Sequence, residues 1–264
     1  MFSYTDQLKR KIVLSGHPKR IISLVPSQTE LLFDLGLEEE VIGITKFCVH
    51  PTQWFRNKPR IGGTKKVNID LVRSLQPDLI IANKEENEKS QVTELETIAP
   101  VWISDITNTE TALQMIKAIG QITGRDEKAS TIITQIKKDL AAVTLRTQQT
   151  YRTAYLIWKD PYMTVGGDTF INDILSKPGF KNIFSHRSRY PEIAITDLKE
   201  NNPELVLLST EPYPFRQKHI DELSIALPGT KIMLVDGEIF SWYGSRMLHI
   251  SSYMHGLMTE INVV

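Results

Sequence analysis

An internal repeat constrains this chain more than any other feature. Residues Ile69 to Glu85 align without a gap on Ile195 to Glu211, 126 positions further on. Each copy reads as a short amphipathic helix, a proline-acid pair (Pro77-Asp78 and Pro203-Glu204), an apolar strand (Leu79 to Ala82 and Leu205 to Leu208), and a Glu eight positions after the proline. Two copies half a chain apart imply two lobes of like construction, because a solenoid needs several repeats to bury its core. The 264 residues suit two lobes of roughly 100 to 130 residues each. Small ligands usually bind in the cleft such a pair leaves.

The elements follow from punctuation and period. Residues 4–14 read as an edge hairpin turned by Ser15 to Pro18. Arg20 to Val25 is a buried-strand run ended by Pro26. Ser27 and Glu30 have capping-box spacing, which predicts a helix from Gln28 to Leu35 that stops at Gly36. Strands are predicted at Val41–Thr45, Leu79–Ala82 and Val101–Ile103, with helices between, and such alternation predicts a mainly parallel sheet. From Asp126 to about Thr147, Ala129, Ile132, Ile133, Ile136, Leu140 and Val143 fall at helical spacing without Gly or Pro. That helix would run about 33 Å. A second α/β pattern follows: strand 154–158, helix 170–175, strand 205–208, helix 217–227, strand 231–235 and a terminal helix from about Met247 to Ile261. The expected fold is therefore α/β, with two lobes (1–125 and 149–264), each a mainly parallel sheet flanked by helices. One long rigid backbone helix (126–148) joins them. Bending that helix would break backbone hydrogen bonds, so large closure of the lobes is not expected.

Charge and composition exclude several classes. Lys plus Arg equals Asp plus Glu at 31 each, so no global field recruits nucleic acid. The single cysteine, Cys48, forbids an internal disulfide. No stretch approaches the roughly eighteen apolar residues of a membrane span.

Tyr4-Thr5-Asp6-Gln7-Leu8, the run Pro18-Lys19-Arg20-Ile21-Ile22-Ser23-Leu24-Val25-Pro26-Ser27-Gln28-Thr29-Glu30 and then Leu35-Gly36-Leu37 together resemble the opening of the class III substrate-binding proteins of ABC transporters. The resemblance continues through Val41-Ile42-Gly43, Ile61-Gly62-Gly63, Pro77 to Ile81, the linking helix, and Asp236-Gly237 with Trp242, and so spans essentially the whole chain. It is most like the cobalamin-binding branch. The resemblance implies a non-catalytic monomer that binds a small-molecule metal chelate and passes it to an ABC permease with its ATPase. The cargo is expected to be cobalamin, with ferric siderophore or haem as alternatives, and no cofactor of the protein's own. It also implies docking on the permease through one exposed acid on each lobe, Glu85 or Glu88 on the first and Glu211 on the second. The expected location is periplasmic or membrane-anchored outside the cytoplasm if an export signal was removed, and cytoplasmic if Met1 is the native start.

In parallel α/β sheets the loops at the carboxyl ends of strands carry the site. Those loops hold Phe47, Trp54, Tyr162, Trp242 and Tyr243, with Trp158 at a strand end. Aromatic walls suit the broad apolar faces of a corrinoid. Trp102, inside Val-Trp-Ile, is assigned instead to the core. Cys48-x-His50 offers two good ligand types, but a metal site needs three or four, so no metal is expected. His50 lines its loop or donates a hydrogen bond, and Cys48 is a small, partly buried side chain. Lys84 and Arg246 are the expected cations at the cleft mouth, Arg246 either gripping an anion or forming a surface pair. An enzyme reading finds no phosphate loop, dinucleotide fingerprint or nucleophile elbow, leaving only an α/β enzyme with an unrecognised site.

Overall fold

A computed structural model describes residues 1–146 and 149–262, which form two compact units. Unit 1 comprises Met1–Asp105, Glu110–Gln135 and Tyr243–Arg246; unit 2 comprises Ile106–Thr109, Ile136–Trp242 and Met247–Val264. Neither is one continuous stretch, in contrast to the simple expected order of lobe, helix, lobe.

Unit 1 opens with a hairpin, β1 (Phe2–Thr5) and β2 (Lys11–Leu14), paired antiparallel and turned at residues 6–10 rather than at Ser15 to Pro18 as expected. Its main elements are β3 (Ile21–Ser23), α1 (Pro26–Asp34), β4 (Val41–Ile44), α2 (Thr52–Asn57), α3 (Ile69–Ser74), β5 (Leu79–Asn83), α4 (Lys89–Leu95), β6 (Val101–Ser104) and α5 (Thr109–Thr123). The sheet is parallel throughout, in the order β4-β3-β5-β6. The predicted long helix is α6 (Asp126–Arg146), with no break among its 21 residues; the division between the units falls inside it.

Unit 2 contains β7 (Tyr151–Trp158), β8 (Tyr162–Thr164), α7 (Phe170–Ser176), β9 (Phe180–Asn182), β10 (Glu192–Ile193), α8 (Ile195–Asn201), β11 (Leu205–Ser209), α9 (Gln217–Ala226), β12 (Lys231–Val235), α10 (Gly237–Ser241) and α11 (Ile250–Asn262). Its strand order is β10-β8-β7-β11-β12, with β9 also on β7. β7, β9, β11 and β12 are parallel, while β8 and β10 run antiparallel at one edge. Every residue of β5 and of β11 is buried, as expected of central parallel strands covered on both faces.

The repeat has a physical explanation in this structure. Gln76 and Asn202, 126 positions apart, both take a positive φ (47° and 42°), ending α3 and α8 in the left-handed conformation. The acid after each proline then receives backbone amides from the start of the neighbouring strand or the residues just before it: Lys19 and Arg20, ahead of β3, donate to Asp78, and Arg152 of β7 donates to Glu204. The arginine of each neighbouring segment returns the bond. Arg20 donates to the carbonyls of Leu75 and Gln76, and Arg152 to those of Asn201 and Asn202. Each copy is thus a helix end bolted to a strand start by one acid and one arginine.

The capping box expected at Ser27 and Glu30 is not formed. α1 starts two residues earlier, with Pro26 in the first turn and Val25 as a cap residue lacking any side-chain bond. Proline needs no partner for a missing amide hydrogen and has the helical φ already set, so it displaces Ser27 into the helix. Trp102 is fully buried, as expected of a core residue.

Candidate functional site

In an open parallel sheet, the loops after two adjacent strands part where the chain turns opposite ways, and ligands bind there. In unit 1 the connection after β3 leads to β4 on one side and that after β5 leads to β6 on the other, so the parting lies between β3 and β5. In unit 2 it lies between β7 and β11. A groove of about 570 Å³ in unit 1 lies elsewhere, between β2 and the segment 96–101 that enters β6. It sits at the amino end of that strand, where neither strand-end loops nor helix starts converge.

In unit 1, Asn83 organises the loop after β5. Its Oδ1 accepts from the amides of Glu85 (2.8 Å) and Glu86 (3.1 Å), and its amide nitrogen donates to Ser104 Oγ at 3.0 Å. Gln28, in the first turn of α1, also donates to Ser104 Oγ. Tyr243 is buried, and burial raises its phenol pKa well above the usual value, with Ser27 and Ser104 close by and lowering it in part. Phe47 is half exposed at 50%, with Lys46 Nζ 5.1 Å from its ring centre.

Several expected site residues turn inward. Cys48 is fully buried, its Sγ 3.0 Å from Thr29 Oγ1 and 3.1 Å from Thr45 Oγ1, and burial pushes its thiol pKa up. It is a loop residue whose thiol is sunk into the core. Trp54 is fully buried too. Pro51 precedes α2, whose turn points the indole at Phe33 and donates Nε1 to Glu38. An amphipathic helix that starts inside an apparent loop explains the misplacement. His50 is half-buried. Lys84 is exposed and pairs with Asp105 at 2.7 Å. Arg246 forms a two-armed pair with Glu30 of α1, at 3.0 and 2.9 Å, with both side chains largely shielded, so it serves unit 1's own packing. Glu88 is exposed, 3.7 Å from Lys65, and Glu85 is half-buried.

In unit 2, Trp158 ends β7 with 40% of its surface exposed and stands edge-on to Tyr213 (ring centres 5.6 Å apart). Tyr213 packs on Phe215 and on His219 of α9. The amide of Arg216 donates to His219 Nδ1 at 2.9 Å, so a neutral ring carries its hydrogen on Nε2, 3.4 Å from the Tyr213 oxygen. Burial lowers the His219 pKa, which keeps that ring neutral. Tyr162 is buried, its hydroxyl 3.5 Å from Glu222, which also pairs with Lys159.

Trp242, expected on a loop surface, is 7% exposed and donates Nε1 to Glu211 Oε1 at 2.9 Å. Glu211 is accordingly no free docking acid. Its carboxylate is drawn inward by Trp242 and Ser241, and burial pushes its pKa up to about 7. Neither Asn83 nor His219 stood out in the sequence. An Asn directly after an apolar strand is a turn signal that applies to Asn83, whereas nothing local marks His219.

The periplasmic binding protein family model matches residues 21–224, most of the chain. The chain belongs to the periplasmic binding protein family. Among relatives of this periplasmic binding protein is an uncharacterised ABC transporter substrate-binding lipoprotein of Bacillus subtilis, YvrC, 26% identical over 76% of this chain and 67% of its own length. Another is the vitamin B12-binding protein of Photorhabdus laumondii, 27% identical over 74% of this chain and 72% of its own. Three solved structures from Vibrio cholerae share the fold. The vitamin B12 binding protein BtuF has a TM-score of 0.77 at 20% identity, covering 92% of this chain and 99% of BtuF. The haem binding protein HutB scores 0.76 at 18%, covering 90% and 98%. The catecholate-siderophore binding protein VctP scores 0.80 at 14%, covering 97% and 99%. Three different cargoes on one fold at equal likeness leave the ligand to chemistry. As in the family at large, this is a substrate-binding transport protein that works with an ABC permease and its ATPase. Among the described residues no helix is long and apolar enough to cross a membrane.

Proposed function

We propose that this periplasmic binding protein reversibly binds a corrinoid, cobalamin, at its strand-end loops and delivers it unchanged to an ABC permease outside the cytoplasm. The observation that carries the reading is the exposed Trp158, held edge-on by Tyr213 at the parting of β7 and β11. A rigid indole at such a point offers a flat apolar face at little entropic cost, which suits a macrocycle. The half-exposed Phe47 offers a second such face in unit 1. The vitamin B12-binding relatives support the cargo, and the lipoprotein relative supports the location. Glu88, exposed at 54%, with Glu85 beside it, is the acidic contact assigned to the permease.

Titration of the full chain with cyanocobalamin, followed by heat and tryptophan fluorescence, tests the reading. Saturable binding at about micromolar ligand, weakened roughly tenfold by Trp158→Ala, is expected. No saturable response removes cobalamin; hemin and a ferric catecholate titrated in parallel then identify which chelate replaces it.

A further inference from the structure

Glu211 lies where β11 gives way to its loop, pressed against the start of α10. A Cβ on Gly237 would lie 2.5 Å from the Glu211 Cγ and collide with Ser209 Oγ, so only glycine admits this approach. Glu211 Oε1 accepts the Trp242 indole hydrogen at 2.9 Å and lies 2.8 Å from Ser241 Oγ. Ser241 Oγ is also 2.8 Å from the Gly237 carbonyl oxygen. A hydroxyl has one hydrogen and rotates to suit its partners, so Ser241 serves one of these two acceptors at a time. The titratable groups acting on Glu211 are Glu238 and Asp236 at the entry to α10, and Glu211 in turn acts on the buried Tyr155 of β7. All of these are acids or phenols.

We propose that Glu211 is a proton-responsive positioning residue for the Trp242 indole, with the Ser241 hydroxyl turning from the Glu211 carboxylate to the Gly237 carbonyl when the carboxyl takes up a proton. The ionised carboxylate accepts both donors and holds the indole at the end of α10, since charge-assisted bonds are the stronger ones. The neutral acid lacks that charge, Ser241 turns away, and the hold on the indole loosens. Burial first, and then the neighbouring carboxylates of Glu238 and Asp236, place this exchange near neutrality, where Glu211 titrates at about 7. The inference stands on unit 2 alone and does not depend on which chelate is bound.

Indole N–H resonances of the full chain, recorded without ligand from about pH 5 to about pH 9 and assigned with Trp242→Phe, test it. The Trp242 resonance is expected to titrate with a midpoint near 7. Glu211→Gln keeps an acceptor for the indole, so the resonance stays at its hydrogen-bonded position but no longer moves with pH. Ser241→Ala removes a donor to the ionised form and shifts the midpoint up by roughly half to one pH unit. A flat Trp242 resonance in the unaltered protein overturns the proposal. So does a titration that survives unchanged in Glu211→Gln, which would assign the proton to another group.

Discussion

Arg246 and Glu30 are 216 positions apart in the chain, yet their charged groups meet at 2.9 Å with both side chains mostly out of water. A shielded pair is a poor source of net stability, but removing one partner strands the other charge without compensation. Arg246→Ala is therefore expected to cost about 3 kcal/mol in urea unfolding, and Glu30→Gln nearly as much, while the double change costs less than the two added together. An anion grip by Arg246 would give the opposite pattern, lost ligand affinity with stability intact. Glu211 makes a different kind of prediction. Its folded pKa, about 7, lies above the usual carboxylate value, so the folded state holds the proton more tightly than the unfolded chain. Stability from this group is full below the unfolded pKa and is lost as pH rises through about 7. Glu211→Gln, which never ionises, should gain on the unaltered protein by about 2 kcal/mol between about pH 5 and pH 8, read as a difference in melting temperature.

At the scale of the element, the repeat was legible because its parts are local: an apolar strand, a proline, an acid and a helical period of six or seven residues. What the letters did not disclose is why the copies match, namely the left-handed residue before each proline and the acid and arginine that bind neighbouring segments. Asn is among the few residues that accept that conformation readily, so Asn202 is well suited, but Gln76 is not. Gln76→Gly should raise stability by about 1 kcal/mol and Asn202→Ala lower it by a similar amount, measured by thermal or urea unfolding. Strand positions and α6 followed from period and punctuation. The site residues were harder to place. Trp54 lies a few residues after β4 in a helix opened by Pro51, and Trp158 is the last residue of β7, just before the turn at Pro161. A short amphipathic helix turns the first into the core, and a tight turn leaves the second at the surface. Burial of a single indole is decided by that difference in local backbone, which composition and spacing do not encode.

At the scale of the whole molecule, the units are defined by contact rather than by sequence order, and this has consequences for folding. Unit 1 takes Tyr243–Arg246 from near the far end of the chain. Gly244, with φ at +107°, lets that segment approach α1 so closely that an added Cβ would lie 3.2 Å from the Ser27 carbonyl oxygen. Arg246 closes on Glu30, and the buried Tyr243 lies beside Ser27 and Ser104. A fragment of residues 1–146 keeps every strand of the unit 1 sheet but loses all three contributions, including the Arg246 charge that faces Glu30, and uncovers the polar ends of α1 and β6. Such a fragment should retain helical circular dichroism while binding a hydrophobic dye and melting without a sharp transition, the marks of secondary structure without fixed packing. The intact chain should unfold in one cooperative step, because losing unit 2 also withdraws the segment that completes unit 1. A fragment that melts as sharply as the whole protein would show that Tyr243–Arg246 is a passenger on α1 rather than part of its core.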